Sequence, residues 1–323
     1  MPHCARMEFM KLVINIPCYN EEQTLPLVLR ELPKQIEGID SIEVQIVDDG
    51  STDNTITVAE KFGCRVIRHK TNLGLGVAFK HGVEEALRNG ADVLVNTDAD
   101  NQYPSRYIAE LVQPILAQNA DVVIGDRQTW RVEHFSPMKR VLQWLGSAVV
   151  RLLTGSAVKD TVSGFRAYSR EALLRLNVLT RFSYVLDTIM QCTKKDLTIV
   201  SIKIRVNSPT RRSRLFKNIF QHMYKSASNL LRMYAVYQPF GTFCFFASLF
   251  LLPALFLVLR FFYFAITTSG YTGHIQSLIA AAILSITGVL MVVLGIVGDL
   301  LQTNRRLVEE QLYLQKKSYY SKQ

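Results

Sequence analysis

Two uncharged apolar runs near the C-terminus constrain this chain more than any other feature. Phe240–Leu259 is 20 residues long and Ile275–Gly298 is 24, and neither contains Lys, Arg, Asp or Glu. As helices rising 1.5 Å per residue, each is long enough to cross a hydrocarbon core of about 30 Å. Buried helices of soluble cores are seldom so long or so rich in Phe and Leu. A membrane hairpin is therefore expected, with spans at about 240–262 and 275–298.

Charge is arranged around these runs. The chain carries a net +10, yet between Asp196 and Asp299 there are nine Lys or Arg and no Asp or Glu. A basic excess beside apolar segments suits membrane phosphate, and nucleic acid is not expected as a partner. The loop between the runs, Thr267–His274, has no Lys or Arg, whereas both outer flanks are basic. The positive-inside rule then places the N-terminal domain and both termini in the cytoplasm, as parts of an integral membrane protein. The first apolar stretch, Leu12–Ile16, is too short for a signal peptide. Five scattered cysteines (Cys4, Cys18, Cys64, Cys192 and Cys244), with no CxxC pair, fit reduced thiols in the same compartment.

The preceding part of the chain reads differently. Leu12–Ile16, Val44–Val47, Val66–Ile67, Val93–Val95 and Val122–Ile124 are brief and β-branched, like buried parallel strands. Helical patterns at Glu21–Leu32, Asp53–Phe62, Gly76–Arg88 and Arg106–Ala117 separate them. The alternation predicts an α/β fold, a doubly wound sheet with helices on both faces. Five parts are expected: an N-terminal extension (1–10), a catalytic domain (11–205), a basic juxtamembrane segment (206–238), two membrane helices (239–300) and a charged helix (301–323) that is a candidate oligomer contact. Within the basic segment, Leu215–Arg232 places Phe216, Ile219, Phe220 and Met223 on one side, suiting either a membrane interface or packing on the domain itself.

Ligands of such sheets bind beyond the C-terminal ends of the strands. There the chain has Pro17-Cys18-Tyr19-Asn20-Glu21-Glu22, Val47-Asp48-Asp49-Gly50-Ser51-Thr52-Asp53 and Asn96-Thr97-Asp98-Ala99-Asp100-Asn101-Gln102. Acids before a Gly turn can accept hydrogen bonds from a base or ribose, and the same stretch can simply cap the next helix. Asp98 and Asp100, at i and i+2 past a strand end, can converge on one hard cation, with Gln102 adding a neutral oxygen. Mg²⁺ or Mn²⁺ prefers such ligands, although Asp-x-Asp loops also occur without a metal. The six His are dispersed, so zinc is not indicated.

Taken together, the three acidic strand ends resemble the family-2 glycosyltransferases of GT-A fold. The resemblance covers residues 11 to about 215 and extends to Gly125-Asp126-Arg127 and Asp160-Thr161-Val162-Ser163-Gly164-Phe165. The Ser-Gly-Phe element and the later Ser213-Arg214-Leu215 look like the polyprenyl-phosphate sugar transferases, which include dolichyl-phosphate mannose synthases and undecaprenyl-phosphate glucosyltransferases. Relatives often have Gly where this chain has Arg211. The resemblance implies that Pro17, Tyr19, Glu21, Asp49 and Asp98 contact the nucleotide, and that Asp98, Asp100 and Gln102 hold Mg²⁺ or Mn²⁺ on the diphosphate. Arg127, Ser163, Arg211, Arg212 and Arg214 would face phosphate, the last four toward the acceptor, with packing as the other role open to Arg127 and Ser163. Asp98, Asp100 and Arg127 are then the catalytic candidates.

The implied reaction is metal-dependent, inverting transfer of a sugar from a nucleotide-sugar donor to a polyprenyl phosphate. Other readings are a transferase with a non-lipid glycan acceptor, a processive synthase, and a membrane-anchored nucleotide-sugar-binding protein. The processive synthases typically carry Q-x-x-R-W, and here Gln128-Thr129-Trp130-Arg131 has a different order.

Overall fold

The computed structural model describes residues 9–129, 158–178, 184–208, 237–267 and 275–321, with isolated positions between 144 and 155. Two compact units divide the chain. One comprises Met1–Arg214 with Leu312–Gln323, and the other Leu215–Gln311.

The first unit is built on β1 (Lys11–Cys18), β2 (Ser41–Asp48), β3 (Arg65–Arg68), β4 (Val93–Asn96), β5 (Val122–Asp126), β6 (Arg166–Ser169) and β7 (Ile199–Lys203). They form one sheet in the order β3-β2-β1-β4-β6-β5-β7. β3, β2, β1 and β4 pair in parallel, β6 lies antiparallel between β4 and β5, and β7 is parallel to β5. The expected parallel strands are present. The inserted β6 makes the sheet mixed, and neither β6 nor β7 was among the strands expected.

Period-2 alternation sends side chains to two layers. Leu12, Ile14 and Ile16 face the layer formed by α1 (Leu25–Glu31), α2 (Thr55–Lys61) and α4 (Tyr107–Leu116). In α4, Ile108, Leu111, Val112 and Ile115 follow helical spacing and are buried, each contributing about 1.5–3 kcal/mol. Val13, Leu94 and Tyr168 face α3 (Leu75–Arg88), α5 (Arg170–Arg175) and α6 (Tyr184–Lys194). The first helix starts at Leu25, four residues later than the pattern at Glu21 implied. Asn20 is left-handed (φ 56°), so the loop turns there first, and Pro lies in the helix's opening positions, where no amide is needed.

The second unit contains α7 (Pro239–Thr267) and most of α8 (Ile275–Tyr320). Both are long and apolar enough to cross a membrane. Within this hairpin the packing relies on small residues. A Cβ on Gly288 would sit 2.6 Å from Leu251, and one on Gly298 would sit 2.7 Å from Pro239. Such close approach is a common mode of helix association where lipid offers no hydrophobic drive. α8 continues without a break through Asp299 into the charged tail. Its last turns belong to the first unit, where Tyr313 donates to Glu171 Oε1 at 2.9 Å and Lys316 donates to the Leu176 carbonyl at 3.1 Å.

Candidate active site

Strand direction gathers the polar motifs on one edge. β1, β2, β4 and β5 all run toward it, and the antiparallel β6 starts from it, with Arg166 opposite Asn96. The loops after Cys18, Asp48, Asn96 and Asp126, and the segment leading into Arg166, therefore meet there.

Bonds from backbone amides to side-chain oxygens join the first two loops. The Asn20 amide donates to Ser51 Oγ at 2.9 Å, and Asn20 Oδ1 accepts from the Thr52 amide at 2.8 Å. Pro17 is half-buried at the end of β1, and Tyr19 is exposed. Glu21 is buried, and its carboxylate accepts from Thr24 Oγ1 at 2.6 Å. Asp48 is fully buried, with Oδ2 accepting from the Ser51 amide at 3.2 Å and no hydrogen-bond partner for Oδ1 among the described residues.

Asp49 is bonded to the turn before α3. Its Oδ1 accepts from the Leu73 amide and its Oδ2 from the Gly74 amide, both at 2.9 Å, which ties down the turn into α3. His69 Nδ1 lies 2.7 Å from Asp49 Oδ1. A carboxylate only accepts, so His69 Nδ1 donates to Asp49, and His69 Nε2 lies 2.8 Å from His81 Nδ1. Burial, followed by the neighbouring His69, holds the His81 imidazole below its ordinary pKa.

The loop after β4 carries the carboxylate pair. Burial first, and then Asp100, push the Asp98 carboxyl up to about 7, against the opposing charge of Arg127. Asp100 accepts from the Gln102 amide at 3.1 Å and from Gln102 Nε2 at 2.6 Å. Asn101 is left-handed at φ 58°. The loop is braced from beyond β7, where Asn207 donates from its backbone to the Gln102 carbonyl and from Nδ2 to the Asn101 carbonyl, both at 2.9 Å.

Arg127 is committed to Asp160. Nε and Nη2 reach the two carboxylate oxygens at 2.7 and 2.9 Å, and the Arg127 backbone amide adds a third bond at 3.1 Å. Burial alone would raise the Asp160 pKa, but Arg127 outweighs it and holds the acid below its usual range. Burial lowers the Arg127 pKa, and the nearby Tyr103 and Asp160 more than reverse that. Ser163 is fully buried and its Oγ has no hydrogen-bond partner among the described residues. Gly164 lies so close to Asp98 that a Cβ there would be 3.3 Å from Asp98 Oδ1.

Two neighbouring carboxylates, Asp98 held protonated to near neutrality by burial and then by Asp100, beside the Gln102 amide, fit a hard divalent cation. No group of three or more His, Cys, Asp or Glu suited to a metal occurs among the described residues. Arg211, Arg212 and Arg214 lie outside the described residues. The structure adds Tyr103, Asp160, Tyr184 and Asn207 to the neighbourhood. Of these only Asp160 stands in a motif singled out from sequence.

Residues 13–176 match the family model described as glycosyl transferase family 2, which is half of the chain. The protein is a family 2 glycosyltransferase. This glycosyltransferase is 31% identical over 176 residues to the undecaprenyl-phosphate mannosyltransferase of Micrococcus luteus, covering 52% of this chain and 70% of that protein. It is 32% identical over 212 residues to a UDP-N-acetylglucosamine–dolichyl-phosphate N-acetylglucosaminyltransferase of Methanococcus voltae, covering 59% and 83%. Among solved structures, glucosyl-3-phosphoglycerate synthase from Mycobacterium tuberculosis, crystallised with Mn²⁺, UDP and glucosyl-3-phosphoglycerate, matches with TM-score 0.53 at 22% identity, covering 71% of this glycosyltransferase and 80% of that chain. That likeness establishes the GT-A-type fold.

Proposed function

We propose that this glycosyltransferase moves a sugar from a nucleotide-sugar donor to a polyprenyl phosphate, with Mg²⁺ or Mn²⁺, at the cytoplasmic face of a membrane. The observation that carries the reading is the meeting, on one sheet edge, of the Asp98/Asp100 pair, the Arg127–Asp160 pair and the buried Ser163 hydroxyl. The apolar hairpin in the same chain and the lipid-phosphate acceptors in the names of both relatives support it.

The chemistry suits such an acceptor. A sugar hydroxyl needs a general base to become a nucleophile. A phosphate monoester has a second pKa of about 6 and is already largely dianionic. Its oxygen attacks the anomeric carbon from the face opposite the leaving group. The C1–O bond to the nucleoside diphosphate breaks, its electron pair stays on the diphosphate, and the centre inverts. Placement and charge neutralisation are then the protein's main tasks. A divalent ion held by Asp98, Asp100 and Gln102 would supply Lewis-acid stabilisation of the departing diphosphate. Pro17, Tyr19, Glu21 and Asp49 would border the nucleotide, Asp49 by fixing the turn at Leu73 and Gly74. Ser163 with Arg211, Arg212 and Arg214 would receive the acceptor phosphate.

The test uses full-length protein in detergent with Mg²⁺, undecaprenyl or dolichyl phosphate, and radiolabelled GDP-mannose, UDP-glucose or UDP-N-acetylglucosamine. Label extracted into organic solvent is expected with one donor, and the product mass identifies the sugar. Folded protein that forms no labelled lipid with any of them would overturn the reading, and a water-soluble product would point to a non-lipid acceptor.

A further inference from the structure

A row of buried polar side chains crosses the apolar sheet directly beneath the site. Gln45 on β2 pairs in register with Asn15 on β1, Asn15 with Asn96 on β4, and Asn96 with Arg166 on β6. All four are fully buried. Gln45 Nε2 donates to Asn15 Oδ1 and to the Gly82 carbonyl, each at 2.7 Å, and Asn15 Nδ2 donates to Asn96 Oδ1 at 2.7 Å. Asn96 Nδ2 donates to Tyr184 Oη at 2.7 Å and to the Gly164 carbonyl at 3.3 Å. The Tyr184 hydroxyl in turn donates to the Gly164 carbonyl at 3.1 Å.

The far end of the row holds the same turn. Arg166 donates to the carbonyls of Ser163 at 2.8 Å and Thr161 at 3.1 Å, and anchors itself on Val185 O and Thr188 Oγ1. From the other side, Tyr103 Oη accepts from the Gly164 amide at 3.2 Å. An apolar sheet could pack at these positions without polar groups, and burying unsatisfied amides is costly. Together these contacts hold the Gly164 carbonyl from the row and the Gly164 amide from Tyr103, at a residue where a Cβ would lie 3.3 Å from Asp98 Oδ1.

We propose that Gln45, Asn15, Asn96 and Arg166, with Tyr184, form a positioning device that sets the Ser163–Gly164 turn against Asp98, on the acceptor side of the site. The acceptor assignment rests on the reading in the preceding section.

The experiment compares wild-type full-length protein with Tyr184→Phe, which removes one hydroxyl, and with the double variant N15L/N96L, which removes both amide partners so that neither is left unpaired. Three quantities are read: KM for undecaprenyl phosphate, Mn²⁺-dependent affinity for UDP and GDP, and amide hydrogen exchange of residues 161–165. Tyr184→Phe removes the Asn96–Tyr184 and Tyr184–Gly164 bonds and is expected to raise the acceptor KM and the exchange of that segment about three- to ten-fold. N15L/N96L, which removes four bonds, should do so at least as much, with nucleotide affinity within about two-fold of wild type in both. Unchanged exchange overturns the proposal, as does an unchanged acceptor KM with faster exchange. So does a parallel loss of nucleotide affinity, which marks general structural damage. If N15L/N96L does not fold, Tyr184→Phe decides alone. If the wild type transfers no sugar to lipid phosphate, the reading in the preceding section fails, and exchange with nucleotide affinity still decides whether the row positions the turn.

Discussion

Arg127 and Asp160 form a bidentate ion pair, Nε to Oδ2 at 2.7 Å and Nη2 to Oδ1 at 2.9 Å, with Asp160 only 2% exposed. The pair joins the loop after β5 to the segment before β6 across 33 residues. Removing one partner leaves a buried charge uncompensated, so Asp160→Ala is expected to lose about 3–5 kcal/mol of stability. The double variant with Arg127→Ala should lose less than the two single losses added, because the residues are coupled. Thermal unfolding of the detergent-solubilised protein measures all three.

Asp98 gives a pH signature with a definite sign. Its folded carboxyl keeps a proton up to about 7, whereas the unfolded group releases it near pH 4. Between those limits the native state binds more protons than the unfolded state, so this contribution to stability is present at low pH and disappears as pH rises toward 7. Metal-free wild type should therefore lose more stability between pH 5 and 7.5 than Asp98→Asn does. A cation must displace the same proton, so Mn²⁺ affinity should rise with pH up to about 7 and then level off. Unfolding midpoints and Mn²⁺ titrations across pH test both.

Asp100 is the second contributor to the Asp98 shift and lies at the centre of the Gln102 contacts. Asp100→Ala is expected to reduce sugar transfer at least about 100-fold, on the scale of losing a principal electrostatic stabiliser. It should also abolish the Mn²⁺ dependence of nucleotide binding. Calorimetric titration of UDP and GDP with and without Mn²⁺ separates this from simple unfolding.

How much of this was legible beforehand differs by element. β1 and β4 are apolar enough to read as strands, and Asp98 with Asp100 could be paired from their spacing past β4. β6 is invisible to periodicity because its four residues begin with Arg166, which the carbonyls of Thr161, Ser163 and Val185 and the Thr188 hydroxyl make a core residue. The Arg127–Asp160 pairing depends on β6 being inserted between β4 and β5, which no local signal carries. Asn15 and Asn96, single amides inside apolar strands, were a readable hint of the buried row. The tail of α8 extends the apolar helix because nothing at Asp299 breaks it, although hydropathy changes there.

Gly82 tests the row from the helix side. A Cβ at this position would lie 2.3 Å from Asn15 Oδ1, closer than atoms can approach. Gly82→Ala must therefore displace Asn15 or shift α3, at a cost of about 1–3 kcal/mol typical of overpacking. The displaced amide should also loosen the Gly164 turn. Amide exchange at residues 161–165 should rise in Gly82→Ala although the substitution lies on α3, and an unchanged rate would uncouple the helix from the turn.

Within the hairpin, Gly288 is one position where α7 and α8 leave no room for a side chain, since a new Cβ would meet both Leu251 Cγ and Cδ2 at 2.6 Å. Hydrophobicity cannot hold two apolar helices together in lipid, so close packing must contribute. Gly288→Leu keeps the span apolar and preserves its length while wedging the helices apart. Chemical cross-linking between cysteines placed on α7 and α8 should become slower in Gly288→Leu, while membrane extraction behaviour stays unchanged. Equal cross-linking rates would mean that the small-residue contact does not set the helix separation.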